Sequence, residues 1–405
     1  MRRRRLLATM LGAGTAGCLE LEQGDATTSS AFTTGTTART EPPTDTATST
    51  RSDATEPEPE ETTSEPREYT EPAWTFEPDE ELGRYPVVAD GTVFTGGRGT
   101  AYAFAVDDGE QQWVVEDAKA IDSRRRGLVA DDAVVYVDAS DIVAHETADG
   151  SERWAFGHGA ETGPAFDGSS LYVYGVDFGQ KLASVDPATG ATEWTVEPEQ
   201  GLTATRSLAL QDDVLVGADF EGTVRAFDAT TGDPLWTYPK PKADTDVTDV
   251  ATDGSSVFVA YSNSTRGGAG PLVALDSADG SVRWSQHEDG ETLDSSPDLV
   301  VHDGTLYVSH RSLHAVNPDD GLTKWFNEDV HGIVTPGDGR LYVGSGGHDG
   351  VVLYALNPET GRVTSEVHAE YAEAWGLRPA IVDDRAYLIE TTADGNRLAA
   401  YDLPE

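Results

Sequence analysis

Cys18 is the one thiol in the chain, and it stands in "TAGC" behind an arginine run and a short apolar stretch, "MRRRRLLATMLGAGTAG". A single thiol excludes an intramolecular disulfide, a cysteine-rich zinc site and a vicinal cysteine pair. It leaves acylation. The apolar stretch is too short for a spanning helix of about 20 residues and has the layout of an export signal. Arg3-Arg4-Arg5-Leu6-Leu7 follows the twin-arginine pattern, whose clients cross a membrane already folded. "TAGC" follows the lipobox pattern, in which cleavage before the cysteine leaves a thiol to be lipidated. Residues 1–17 are therefore expected to be a twin-arginine-type lipoprotein signal, with Cys18 as a lipid anchor on the extracytoplasmic face of the cell membrane. An ordinary signal followed by a coincidental cysteine is the plainer alternative.

Other reactive residues are scattered. No Gly-x-Ser-x-Gly elbow, Walker loop, His-Glu-x-x-His pair or Cys-x-x-Cys-His haem site occurs. His310 and His314 are four apart in "HRSLH", which on a helix would suit a metal. Here they fall in or beside a strand connection, where two unrelated packing or surface histidines are expected. "GSGGHDG", Gly344 to Gly350, has the glycines of a phosphate loop but no helix after it, and reads as a hairpin connection. Asn263 opens an Asn-Ser-Thr sequon in a long loop, a candidate glycosylation site. No metal ligand set emerges and no catalytic residue is assigned.

Composition narrows the class. With 72 acidic against 28 basic residues the formal net charge is −44. Such a chain repels nucleic acid, whose binding depends on neutralised phosphates. Acids run through the whole sequence and lysine is scarce, so the acidity belongs to an acid-coated folded body rather than to one tail. At molar salt the Debye length falls to about 3 Å and self-repulsion is screened, so a salt-loving source, as for a haloarchaeal-like exported lipoprotein, is expected. Residues 18–70 are Thr-, Ser-, Pro- and Glu-rich, as in "SSAFTTGTTARTEPPTDTATST". They lack the apolar surface to offset ordering entropy and read as a disordered linker, O-glycosylated or plain.

Beyond residue 70 one pattern recurs, as in "TVRAFDATTGDPLWTYP", Thr223 to Pro239. Glycines stand four residues before a tryptophan at Gly109–Trp113, Gly150–Trp154, Gly190–Trp194, Gly232–Trp236, Gly280–Trp284 and Gly321–Trp325, and before a serine at Gly361–Ser365. These positions, with Trp74, lie 39 to 48 residues apart. An Asp or its equivalent precedes each glycine by four: Ala105, Glu146, Asp186, Asp228, Asp276, Asn317 and Asn357. A small residue lies two earlier still, Ala or Ser in every unit. Period-2 alternation and the absence of helical periodicity predict four short strands per unit. Asp and Gly supply turn chemistry. The tryptophan needs a flat slot, for which the small residue is expected to make room against a neighbouring unit's backbone.

This spacing resembles the tryptophan-docking motif of the quinoprotein (PQQ-type) repeat family over about residues 71–405. The resemblance implies an all-β fold, a β-propeller of four-stranded antiparallel blades. First strands near Val87, Leu128, Ala165, Leu208, Val250, Leu299, Val334 and Ala380 make eight blades. The last unit, "AAYDLPE", is three strands long, and "EPAWTFEPDE" around Trp74 is expected to supply its fourth strand and close the ring. Ala105 should leave its turn without a side-chain bond, and Ser365 should weaken its joint.

In the resembling dehydrogenases a quinone sits on the axis with calcium, held by carboxylate and amide groups, often beside a vicinal disulfide. The lone cysteine departs from that pattern, so no cofactor is expected. In a propeller the segments entering the first strands crowd the channel mouth. That places Arg84, Arg124, Arg125, Arg126, Arg206 and Arg378 there, with Arg98, Arg266, His348 and Arg397 on nearby loops. They form either an anion-attracting funnel or a rim neutralised by neighbouring acids. The expected function is a monomeric, non-catalytic scaffold binding an extracytoplasmic protein or an anionic ligand at the cell surface. It looks similar to the outer-membrane assembly lipoprotein built from the same repeat. A PQQ- and calcium-dependent dehydrogenase, a carbohydrate-acting propeller and a surface sensor for an anionic ligand stay open as alternatives.

Overall fold

The computed structural model describes residues 69–403, apart from 84, 98, 117–127, 138–140, 158–163, 176–180, 198–204, 220–221, 242–244, 264–267, 287–296, 310–311, 338, 346–349, 370–377 and 393–394. The expected signal, Cys18 and most of the linker lie outside these residues. Among the described residues every regular element is a β-strand. They form eight four-stranded antiparallel sheets, seven of which use four consecutive strands in chain order. These are blades 1 to 7, spanning 87–116, 128–157, 165–196, 205–238, 245–286, 298–327 and 333–368. The eighth sheet runs Ala380–Val382, Arg385–Thr392, Gly395–Asp402 and then Trp74–Phe76, with Trp74 opposite Ala400 and Phe76 opposite Leu398. First strands of neighbouring blades touch around the axis, and Ala380–Val382 touches Val87–Ala89 of blade 1. The N-terminal strand thus closes an eight-bladed propeller, as the sequence predicts.

Burial follows from this stacking. The second strand of each blade lies inside the sheet and packs on both faces. In blade 4, Leu215, Val216 and Ala218 are fully buried. Fourth strands line the perimeter and alternate between exposed and covered residues, as in Pro234–Tyr238. The core is divided into eight apolar layers, each shared by two adjacent blades. One such layer joins Val216, Ala226 and Trp236 of blade 4 to Val257, Tyr261 and Leu275 of blade 5. The hairpins joining first to second strands place Asp90, Asp131, Asp132, Asp212, Asp303 and Asp383 at φ between 45° and 58°. Asp is among the few Cβ-bearing residues that tolerate this left-handed conformation, so part of the acid excess is conformational.

The joint between blades is a tryptophan laid on a glycine. The turn between third and fourth strands is closed by a glycine N–H donating to the carbonyl four residues back, at 2.8–3.0 Å in blades 1 to 7. Where that residue is Asp or Asn its side chain also accepts from the turn, as Asp228 Oδ1 does from Thr230 N and Thr231 N. Ala105 makes no such bond, and Asp108 Oδ1 accepts from Glu110 N instead. Each turn glycine has φ between +67° and +76° and lies under the indole of the preceding blade. Trp74 covers Gly109, Trp113 covers Gly150, Trp154 covers Gly190, Trp194 covers Gly232, Trp236 covers Gly280, Trp284 covers Gly321 and Trp325 covers Gly361. Every one of these indoles donates Nε1–H to a turn carbonyl of the blade it covers, at 2.7–3.1 Å.

The small residue leaves the indole room against the neighbouring unit, as expected. It is the tryptophan's own cross-strand partner, Ala226 opposite Trp236 and Ser184 opposite Trp194, and its missing bulk lets the indole lean over its own third strand onto the next blade's turn. At Ser365 the joint is missing altogether rather than weakened. Because Trp74–Phe76 supplies the outer strand of blade 8, no turn joins that strand to Gly395–Asp402, and position 365 faces no glycine. This seam is held by a different apolar layer, with Tyr401 and Leu388 of blade 8 against Val352 and Val367 of blade 7. Thr70 N also donates to His368 O at 2.8 Å, ahead of the closing strand.

Two outcomes follow for stability. Gly232→Ala must place a methyl 2.7 Å from Trp194 Cε3 at φ +76°, and we expect it to cost about 2–4 kcal/mol by combined backbone and overpacking strain. Gly339→Ala has φ +68° with nothing within 4 Å and should lose about 1 kcal/mol; paired denaturant titrations would measure the difference. His145, buried between blades 1 and 2 with Nδ1 2.9 Å from Gly150 O, has its pKa lowered by burial. The unfolded chain then takes up the proton first, so the stability held above the unfolded value of about 6.5 is lost as pH falls through it toward the folded pKa. His145→Phe, the residue type at the equivalent positions 104 and 227, should flatten melting temperature against pH in that window.

Candidate functional site

Strands alternate in direction within a blade, so the segments entering first strands share one face with the loops joining second to third strands. Of the ten residues expected on this face, Arg84, Arg98, Arg124, Arg125, Arg126, Arg266 and His348 lie outside the described residues. Arg206 lies in Thr205–Gln211, where pairing slips between Thr205↔Asp219 and Ser207↔Ala218. Asn263, expected in a loop, ends the strand Ser256–Asn263 and pairs with Gly268. His314 sits in Leu313–Val316, its Nε2 2.9 Å from Ser312 Oγ and its ring stacked on Phe326. His310 lies outside the described residues.

Arg397 turns into the protein. Its Nε donates to Glu390 Oε2 at 2.9 Å, and Tyr401 Oη donates to Glu390 Oε1 at 2.5 Å. The Glu390 side chain is fully buried. Burial pushes its carboxyl pKa up, against the pull of Tyr401 and Arg397. Burial would lower the pKa of Arg397, but the Glu390 carboxylate outweighs it and holds the guanidinium charged. Arg397 Nη1 also lies 3.5 Å from Glu77. Its charge is thus engaged by two carboxylates, as in the neutralised-rim reading. Arg225 of blade 4, on the same face, is likewise bound to buried Asp219 at 2.9 Å.

The inner rim of blades 4 to 8 carries a second polar network. Asp249, in the first strand of blade 5, accepts from Ser207 Oγ of blade 4 at 2.7 Å, from its neighbour Val250 N at 2.9 Å and from Leu299 N of blade 6 at 2.9 Å. One carboxylate thereby staples three consecutive blades. Its neighbour Thr248 bulges out of the pairing and donates Oγ1–H to Ala260 O at 3.1 Å. Thr335 Oγ1 of blade 7 donates to Pro379 O at 3.1 Å, which fixes the entry to blade 8 directly after Arg378. Arg378 Nη2 lies 3.8 Å from Asp298 Oδ1 at the start of blade 6. Sequence reading located Arg378 but missed Asp249 and Asp298. The available signal was a carboxylate interrupting the valines of an innermost strand, "TDVTDVAT".

A quinone with calcium would need free carboxylate and amide oxygens converging on the axis. Among the described residues no group of three or more His, Cys, Asp or Glu is placed to hold a metal ion. The axial Asp249 gives both oxygens to protein donors and Asp298 faces an arginine. The described residues therefore do not fit that pair. Also among them, no helix is long and apolar enough to cross a membrane.

Comparison with known proteins agrees with this architecture. The family model described as outer membrane protein assembly factor BamB matches residues 67–156, 138–312 and 269–404. The chain is 28% identical over 220 residues to outer membrane protein assembly factor BamB of Yersinia pestis, covering 48% of this chain and 53% of that protein. It is 33% identical over 163 residues to serine/threonine-protein kinase AfsK of Streptomyces griseus, covering 36% of this chain and 20% of the kinase. The matches thus span a fifth to about half of these relatives' lengths. The crystal structure of BamB from Moraxella catarrhalis superposes with a TM-score of 0.59 at 17% identity, covering 81% of this chain and 98% of that one.

Asp249→Ala would leave Leu299 N and Ser207 Oγ without their charged acceptor. We expect a loss of about 3 kcal/mol of unfolding free energy, measured by chemical denaturation, with the secondary structure of the folded state unchanged.

Proposed function

We propose that this chain, which belongs to the BamB-like PQQ-repeat propeller family, is a non-catalytic scaffold tethered outside the cytoplasm, whose axial face binds a partner protein of the cell envelope. The observation that carries this reading is the family match running through the whole ring, 67–404, to a description that names an assembly factor. The relative from Yersinia pestis bears the same assembly name.

Geometry supports a tethered ring. The chain enters the propeller at Thr70, which donates its N–H to His368 O and accepts from His368 N at its Oγ1. It then runs directly into the closing strand. A linker anchored through Cys18 would therefore join the ring at the rim of blades 7 and 8. The net charge of −44 suits a surface that works in concentrated salt and disfavours nucleic acid.

Two experiments at native salt test this reading. In cell fractionation the wild-type protein should partition with membranes, and Cys18→Ser should move it to the soluble fraction. Capture of the wild-type protein from detergent-solubilised membranes should recover a specific envelope protein. The reading is overturned if Cys18→Ser stays membrane-bound, or if no partner is recovered and the purified protein oxidises an alcohol or sugar with added quinone and calcium.

A further inference from the structure

Arg378 has its side chain 17% exposed, and a guanidinium covered to that extent ordinarily has its donors satisfied. Here Nε is buried with no hydrogen-bond partner. Nη2 is 3.8 Å from Asp298 Oδ1, well beyond the roughly 2.7–2.9 Å of a charge-assisted bond. Nε and Nη2 are the two donors along one edge of the guanidinium plane, the edge whose fork matches the two oxygens of a carboxylate. That edge is open. Arg378 is also held in place from below, by the Thr335 bond to Pro379 O.

A second unsatisfied donor lies beside the same carboxylate. Ser309 is 1% exposed, and its Oγ has no hydrogen-bond partner. It lies directly opposite Asp298 in the pairing of the first two strands of blade 6, so both side chains leave the sheet on the same face. Val300 and Tyr307, two residues further along that face, pack in the layer shared with blade 7. Asp298 is therefore flanked by two donors that it does not satisfy, one from its own blade and one from blade 8. A buried donor without an acceptor carries an uncompensated desolvation cost, larger when the group is charged, and a ligand acceptor would recover it.

We propose that Arg378 and Ser309 form a carboxylate-binding site at the inner rim, above blade 7. This deepens the scaffold reading, on which it rests, by naming the chemistry the axial face holds. The ligand carboxylate accepts from Nε and Nη2 of Arg378 and from Oγ of Ser309, and Asp298, whose side chain is 38% exposed, turns to water. A monoanion is selected. Asp298 and the surrounding charge of −44 oppose a dianion such as phosphate, while a single carboxylate replaces the contact that Asp298 makes poorly.

The test uses the purified mature protein at fixed ionic strength and pH, with sodium glucuronate, acetate or phosphate replacing chloride. Glucuronate and acetate should each give a saturable shift of the Arg378 Nε–H resonance and a rise in melting temperature, and phosphate should give neither. Arg378→Lys keeps the charge but loses the fork and should weaken glucuronate binding at least tenfold. Ser309→Ala should weaken it about threefold with Arg378 intact, which keeps the test valid should the lysine variant fold poorly. A phosphate response equal to that of glucuronate, undiminished binding by both variants, or no saturable response in the wild type would each overturn the proposal. Envelope-protein capture by the wild-type protein, set beside its titration with glucuronate, separates the two readings: carboxylate binding without any recovered partner sinks the scaffold reading alone, and a recovered partner without carboxylate binding sinks this one alone.

Discussion

A flat indole resting on a glycine with no side chain is the contact from which the rest of the ring follows. Burying an indole of roughly 150–250 Å² contributes about 4–6 kcal/mol as an upper figure, and its N–H adds a bond to the same turn. Position is what makes the contact specific. The glycine must have positive φ, the turn must present a carbonyl one residue past the Asp position, and the tryptophan's cross-strand partner must be small. Each requirement is local to one blade or its neighbour, so repeating the sequence repeats the angle between sheets. Seven repetitions carry the chain round until Ala380–Val382 meets Val87–Ala89. At the remaining seam the outer strand arrives from the N-terminus and brings no turn, so neither glycine nor tryptophan is needed there. The loss of one half of the joint at Ser365 matches the loss of the other.

The acidity that dominates the composition has several structural destinations. Six aspartates occupy left-handed hairpin positions. Asp186, Asp228 and Asp276 cap the turns under the indoles. Others neutralise the few arginines, as Arg153 bridges Glu146 and Asp131 and Arg283 binds Asp276. Turn capping and ion pairing work with the carboxylates ionised, and hydrogen bonds from the turn or arginine partners hold Glu146 and Asp276 below the usual carboxylate range. The surface charge is thus partly a by-product of turn chemistry repeated from blade to blade.

The ring was legible because its rules are periodic and local. Trp236 and Gly280 are 44 residues apart, but each is marked by its own unit, and the count of first strands yielded the blades. Closure by Trp74 was legible for the same reason, since the tryptophan carries the repeat's signature outside the repeat. The direction of the joint was not legible. Spacing alone does not say whether Ala226 faces Trp236 across the sheet or a neighbour's backbone, and that depends on strand register. The axial network was less legible still. Asp249, Ser207 and Leu299 come from three different blades, and no spacing rule links them. Arg397 shows the limit for charged residues. Its position in the sequence suggested the channel mouth, while its cross-strand partner Glu390 draws it into the interior.

Every indole–glycine joint involves the turns between third and fourth strands, on one face of the ring. The opposite face contributes none of them. Its described polar contacts vary from blade to blade, among them the Asp249 staple, the Thr335–Pro379 bond and the loose pair of Arg378 and Asp298. A substitution on the joint face disturbs a contact that sets the angle between blades, whereas one on the axial face disturbs at most a local network. The architecture therefore confines the constraint of closing the ring to one side and leaves the other free to hold unsatisfied donors such as Arg378 Nε and Ser309 Oγ. A few kcal/mol of unmet hydrogen bonding is tolerable at that rim because seven joints elsewhere hold the blades in place. The same division explains why a repeat motif so specific for fold says little about ligand: its signature residues and the axial donors lie on opposite faces.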